Sequence, residues 1–252
     1  MLLADGAMGT ELLRRSPGLD RPSSLNLLNP ELVLALHREY VAAGARLLIT
    51  NTLGATPEEA AAGVRLTRSV PLPSQGERLG GGTSSERLII AGSLVAQPSP
   101  TPALIEALAE ADVLLLETLT SLAALEQAVT TIRQLSHKPL WATISFDRDG
   151  RLDGLTPSEI VRKLPPIDAF GYGCGFGPDA ARSVLQELRA AAPEATLIAK
   201  PNLGLPPYDI SPDQLAGWAE DVARLGIDVI GVCCGSTPAH TRAVAGRLDS
   251  YG

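Results

Sequence analysis

Ile227-Asp228-Val229-Ile230-Gly231-Val232-Cys233-Cys234-Gly235-Ser236-Thr237-Pro238 reads as a strand, a turn and the start of a helix. The β-branched apolar run through Val232 suits a strand buried on both faces, with expected bounds 229–233. Gly235 loosens the backbone. Thr237 then suits a helix N-cap and Pro238 the first helical position, opening a helix over 238–248.

The same grammar recurs along the chain on the way back to residue 2. Strands are expected over 2–5, 47–51, 88–93, 113–117, 140–146, 167–173 and 196–200. Helices are expected over 30–43, 57–66, 102–110, 121–135, 157–164, 179–192 and 212–225. Eight alternations in 252 residues predict an α/β fold, a TIM (β/α)8 barrel over 1–252 as a single domain. A doubly wound open sheet is the alternative. It needs fewer strands and usually a glycine-rich phosphate turn, and no GxGxxG or P-loop pattern occurs. Residues 68–86, rich in Gly, Pro and Ser, predict a flexible loop where such a barrel normally carries a longer second helix.

Composition narrows the function. The chain is 45% apolar and 19% charged, an ordinary globular balance. A net charge of −7 without a Lys/Arg cluster argues against nucleic acid or an anionic membrane surface as partner. No apolar run is long enough to span a membrane, and Met1 to Gly6 turns acidic too soon for a signal peptide. Three cysteines cannot all pair with one another, so a reducing, cytoplasmic setting is expected. The length leaves no room for separate donor domains.

Those cysteines sit where a barrel keeps its chemistry, at the C-terminal strand ends. Cys174 ends the sixth strand in Gly173-Cys174-Gly175, and Cys233 and Cys234 end the eighth. Three thiolates with one open position form a catalytic rather than a structural zinc set. Adjacent residues on a regular strand face opposite ways. Cys233 and Cys234 can therefore serve one metal only where the strand breaks, which Gly235 permits. The competing reading is three small buried hydrophobes; the doublet and the matching strand-end contexts favour the metal.

Other polar residues end strands too. Glu117 follows four apolar residues, is costly to bury unless used or paired, and is expected to bind a ligand rather than to serve as a structural ion-pair partner. Asp5 reads equally as a site residue or as a turn residue ahead of Gly6. Thr50, Asn51 and Thr52 end the second strand, and Lys200 could pair with a barrel carboxylate. His37 and His240 fall in helices and His137 in a loop. No histidine is therefore assigned to the metal, and no Ser-His-Asp or Cys-His nucleophile is supported.

Taken together, several segments resemble the homocysteine S-methyltransferase family, including the homocysteine-binding module of cobalamin-dependent methionine synthase. They are Asp5-Gly6-Ala7-Met8-Gly9-Thr10, Asn29-Pro30-Glu31-Leu32-Val33, the stretch from His37 through Gly44-Ala45, and Thr50-Asn51-Thr52-Leu53-Gly54-Ala55-Thr56. They continue with Leu114 to Thr118, Lys200-Pro201-Asn202-Leu203-Gly204-Leu205-Pro206 and Gly231 to Pro238. The resemblance implies a (β/α)8 barrel with zinc on Cys174, Cys233 and Cys234. It implies homocysteine held by Asp5, Gly6, Thr52 and Glu117, and methyl transfer to the homocysteine thiol to give methionine.

Three departures bear on this. Gly173 stands where the family usually has Asn. Gly92-Ser93-Leu94-Val95-Ala96 lacks the usual Gly-Pro after the third strand. The stretch between the second and third strands is short. No Trp lies near Ser23 and Ser24, where betaine users carry one for cation–π contact. The resemblance then leaves two donors, a methyl-corrinoid on a partner protein or a small sulfonium such as S-methylmethionine. Two other readings stand beside the enzyme. One is a non-catalytic homocysteine- and zinc-binding subunit of a larger corrinoid methyltransferase system; the other is a barrel hydrolase with structural cysteines.

Overall fold

A computed structural model of the chain describes residues 1–72, 87–204 and 210–250. Eight strands form one parallel sheet in the order β1-β8-β7-β6-β5-β4-β3-β2. They are β1 (Leu2–Leu3), β2 (Leu47–Ile49), β3 (Ile89–Leu94), β4 (Val113–Leu119), β5 (Leu140–Ile144), β6 (Ala169–Cys174), β7 (Leu197–Pro201) and β8 (Val229–Ile230). An Ala4–Leu47 bridge joins β1 to β2, with the Asp5 N–H donating to the Leu47 carbonyl at 2.9 Å. The ring is thereby closed, and the barrel read from the sequence is the fold.

Strand period decides which side chains enter the barrel. Ala4, Leu47, Ile49, Ala91, Val113, Leu115, Ala169, Ile198 and Val229 form a compact inner cluster. Leu114, Leu116, Ala142, Tyr172, Leu197, Ala199 and Ile230 face outward and pack under the helices. The inner parity continues toward the C-terminal rim through Ser93, Glu117 and Lys200. These polar residues are thus carried inward above an apolar plug.

The helices are α1 (Gly9–Arg15), α2 (Leu25–Leu28), α3 (Pro30–Ala42), α4 (Pro57–Arg68) and α5 (Pro102–Ala107). They continue with α6 (Leu122–Leu135), α7 (Pro157–Val161), α8 (Gly177–Ala191), α9 (Pro212–Arg224) and α10 (Pro238–Asp249). Their starts follow the signals in the sequence. The Asn29 side chain accepts from the Leu32 N–H, and Thr56, Thr156 and Ser211 each open a reciprocal capping box before Pro, while His240 Nδ1 accepts from the Thr237 N–H at the start of α10. Helices α1 and α2 were not expected. They are short, and neither has a side-chain N-cap.

Most bounds differ from expectation by one to three residues, and two of the differences bear on the site and on the loop after α4. Strand β8 ends its regular pairing at Ile230 instead of Cys233. Helix α4 runs through Arg68, and Val70 is buried, so the loop expected over 68–86 starts later than read. Residues 73–86 of that loop lie outside the described residues. Among the described residues no helix is long and apolar enough to cross a membrane.

Candidate metal and substrate site

Cys174 sits at the end of β6 with φ +60°, the left-handed region that residues other than glycine seldom occupy. Its carbonyl accepts from the Asn202 N–H at 2.9 Å, and the next two amides donate to side chains, Gly175 to Ser145 Oγ and Phe176 to the Tyr172 hydroxyl. The bend thus has its backbone groups satisfied.

At the other end of the site, the Cys233 N–H donates to the Pro201 carbonyl and the Cys234 carbonyl accepts from the Leu203 N–H, both at 2.9 Å. Gly235 adopts φ +81°, and a Cβ there would lie 2.2 Å from the Gly204 carbonyl oxygen. Only glycine fits where the two loops cross. With the strand broken in this way, adjacent cysteines turn their sulfurs to the same side.

The three Sγ atoms lie within 4.8 Å of one another, and those of Cys233 and Cys234 are 3.9 Å apart. A tetrahedral zinc with Zn–S bonds of about 2.3 Å needs sulfurs about 3.8 Å apart. The spacing and the donor chemistry fit such an ion with one position left for a further ligand. Hydrogen bonds from Cys174 and Cys233 pull the Cys234 thiol well below the usual cysteine value. Cys174 is pushed up, first by its hydrogen bonds to the other two sulfurs and then by burial. A cation held here would replace the protons that the other two thiols keep.

Cys233 and Cys234 border a cavity of about 270 Å³. Gly6, Met8, Thr10, Thr50, Asn51, Ser93, Glu117 and Lys200 also line it. Glu117 does two things at once. Its Oε1 faces the Lys200 ammonium at 3.3 Å, and its Oε2 accepts from Ser93 Oγ at 2.5 Å. The pair is largely out of water, with side chains 5% (Lys200) and 13% (Glu117) exposed. Burial alone would lower the Lys200 ammonium, but the Glu117 and Asp5 charges outweigh it and hold its pKa above the usual lysine value.

The remaining expected site residues fall into two groups. Gly6 is on the cavity wall. It is pressed against its neighbours: a Cβ would lie 2.6 Å from Ser236 Oγ and 2.8 Å from the Tyr40 ring. Asp5 and Thr52 are fully buried and lie outside the set of lining residues. Asp5 Oδ2 accepts from the Ile49 N–H at 2.9 Å, while its Oδ1 has no partner. Burial pushes the Asp5 carboxyl up to about 7 against the pull of Lys200. Thr52 Oγ1 donates to the Ser93 carbonyl at 2.8 Å.

The β1 and β8 loops are tied together as well. The Ala7 N–H donates to Ser236 Oγ and the Tyr40 hydroxyl donates to the Ala7 carbonyl, both at 2.8 Å. None of the three histidines reaches the cavity wall. Sequence reading missed Ser93 as a site residue. The available signal was a hydroxyl ending an apolar strand at the same parity as Glu117.

Comparison with known proteins identifies the family of the chain. The sequence profile described as Homocysteine S-methyltransferase matches residues 2–95 and 96–248. Proteins named methionine synthase from Mycobacterium tuberculosis and Mycobacterium leprae are 30% and 28% identical over 98% of this chain. The chain spans about a quarter of the length of these relatives (24% of each). Among solved structures, the homocysteine methyltransferase MmuM from Escherichia coli in its metallated form is 25% identical, with a TM-score of 0.81. That match covers 98% of this chain and 96% of MmuM. The apo form of MmuM is 26% identical, with a TM-score of 0.78. With the family profile matched from the first strand to the last helix, the chain belongs to the homocysteine S-methyltransferase family.

Proposed function

We propose that the chain transfers a methyl group to the thiol of homocysteine, giving methionine, with zinc held by Cys174, Cys233 and Cys234. The observation that carries this reading is the convergence of three cysteine sulfurs beside a cavity that also holds an ammonium and a carboxylate. Zinc bound there would supply the charge that keeps an acceptor thiol deprotonated at neutral pH. The chain's own residues do the rest. The cysteines give the centre an anionic, electron-rich character. Gly6 and Glu117 border the acceptor, while Asp5 and Thr52 act from behind the wall by fixing the β1 and β2 ends. The acceptor sulfur forms the new S–C bond, the donor keeps the electron pair of the bond that breaks, and the thiol proton goes to solvent.

In this reading the donor is a methyl-corrinoid carried by another protein. The support is the resemblance to the homocysteine-binding module of cobalamin-dependent methionine synthase and the similarity to proteins of that name. The test supplies zinc-replete protein with homocysteine and either a methylated corrinoid protein or S-methylmethionine, and reads methionine by mass spectrometry. Methionine is expected with the corrinoid protein and not with S-methylmethionine. Efficient turnover with S-methylmethionine alone overturns the donor assignment. Homocysteine binding with no turnover on any donor supports a non-catalytic binding subunit instead.

A further inference from the structure

Lys200 is the one cation among the described residues that line the cavity. Its ammonium carries three N–H donors, and the structure gives it one hydrogen-bond partner, Glu117 Oε1 at 3.3 Å. That distance is longer than the ~2.7–2.9 Å usual for a charge-assisted bond. Glu117, by contrast, is held firmly from its other side by Ser93 at 2.5 Å. Much of the surrounding wall is apolar, with Met8, Leu13, Leu53 and Val232. An ammonium with unspent donors in such a place is costly, and an anion that accepts from it recovers that cost.

We propose that Lys200 is a specificity-determining residue that donates to the α-carboxylate of the acceptor thiol. The inference rests on reading the cavity as the acceptor site. An α-amino acid carries an ammonium and a carboxylate on one carbon. The Glu117–Lys200 pair presents the opposite charges 3.3 Å apart. The zwitterion enters by replacing this internal contact, its ammonium facing Glu117 and its carboxylate facing Lys200, so that four charges alternate. Ser93 keeps Glu117 in place while Lys200 turns to the ligand. A site built this way rejects a thiol that lacks the carboxylate, because the Lys200 donors would then go unused.

The test is calorimetric binding to the zinc-loaded protein of L-homocysteine and of 3-aminopropane-1-thiol, which keeps the thiol and amine but has no carboxylate. The wild-type protein is expected to bind homocysteine roughly tenfold to a hundredfold more tightly, the range of a hydrogen bond to a charged group. In Lys200→Gln the homocysteine affinity falls by that factor while the aminothiol affinity changes less than about threefold. The ratio is taken within each variant, so a general loss of folded protein cancels, and Lys200→Met provides a second check. Equal weakening of both ligands would mean that Lys200 only props up Glu117, and overturns the proposal. Wild-type protein that binds both equally well also overturns it, leaving the acceptor-site reading intact. Wild-type protein that binds neither overturns both.

Discussion

Thr143 of β5 fills the volume that a side chain on Gly173 of β6 would need: a Cβ at 173 would lie 2.4 Å from Thr143 Cβ and 2.5 Å from its Oγ1. The departure from the family's asparagine is therefore matched by a neighbour. Gly173→Asn is expected to destabilise the fold by about 1–3 kcal/mol, the usual cost of overpacking. Gly173→Asn with Thr143→Gly should recover most of that loss. Chemical denaturation of the three variants reads the outcome, and additive losses would show that the two positions do not share space.

The sulfur triad makes a prediction about metal. Elemental analysis should find one zinc per chain in the wild-type protein and a marked loss in Cys234→Ser. Because thiolates are the ligands, zinc affinity should fall as pH drops and protons compete. Full zinc occupancy in the Cys234→Ser protein would remove the basis for the assignment.

Glu117 is both an ion-pair partner and a cavity wall, so its replacement should show in two measurements. Glu117→Gln leaves a buried ammonium without its counter-charge, at a cost of about 3 kcal/mol. In a chain of this size that lowers Tm by roughly 6–12 °C. Homocysteine affinity should fall as well. A melting shift with unchanged affinity would make the residue structural only.

His37, buried in α3, bears on acid stability. Thr67 Oγ1 donates to the Gly63 carbonyl at 2.8 Å, so its contact with His37 Nε2 at 3.1 Å needs the hydrogen on the imidazole; Nδ1 has no partner. Burial holds the ring neutral and pushes its pKa down to about 3, against about 6.5 in an unfolded chain. Between those values the unfolded state binds the extra proton, so this stability is present above pH 6.5 and is lost as pH falls toward 3. At pH 5 the loss is about 2 kcal/mol. Asp5, raised to about 7, has the opposite slope across much of the same window. The measurement is therefore the difference between wild type and His37→Gln. From pH 7.5 to 5 that difference should move about 2 kcal/mol in the variant's favour; parallel profiles would show that His37 does not titrate this way.

The barrel was legible because eight apolar runs alternate with helical stretches, five of which open on a side-chain cap followed by Pro, and each such cap is a local signal. Helices α1 and α2 escaped because they are short and lack that signal. The triad was legible because cysteine is scarce here and all three copies lie at or just after the C-terminal ends of apolar runs. The Lys200–Glu117 pair was only half legible. Strand parity turns both residues inward, but which carboxylate meets the ammonium depends on contacts across the barrel. Nor does a strand end reveal whether its polar residue faces the cavity, as Glu117 does, or the wall behind it, as Asp5 and Thr52 do. That choice belongs to the closure of β1 on β2, which no local pattern encodes.

The sulfurs come from the ends of β6 and β8, with β7 between them. One ion held by all three would clasp the barrel rim across an intervening strand. It would bind the folded chain and find no such arrangement in the unfolded one, so the ion enters the folding equilibrium by mass action. Free zinc at a hundred times its dissociation constant would add about 2.7 kcal/mol to stability. The melting temperature of this barrel then becomes a gauge of the free zinc around it.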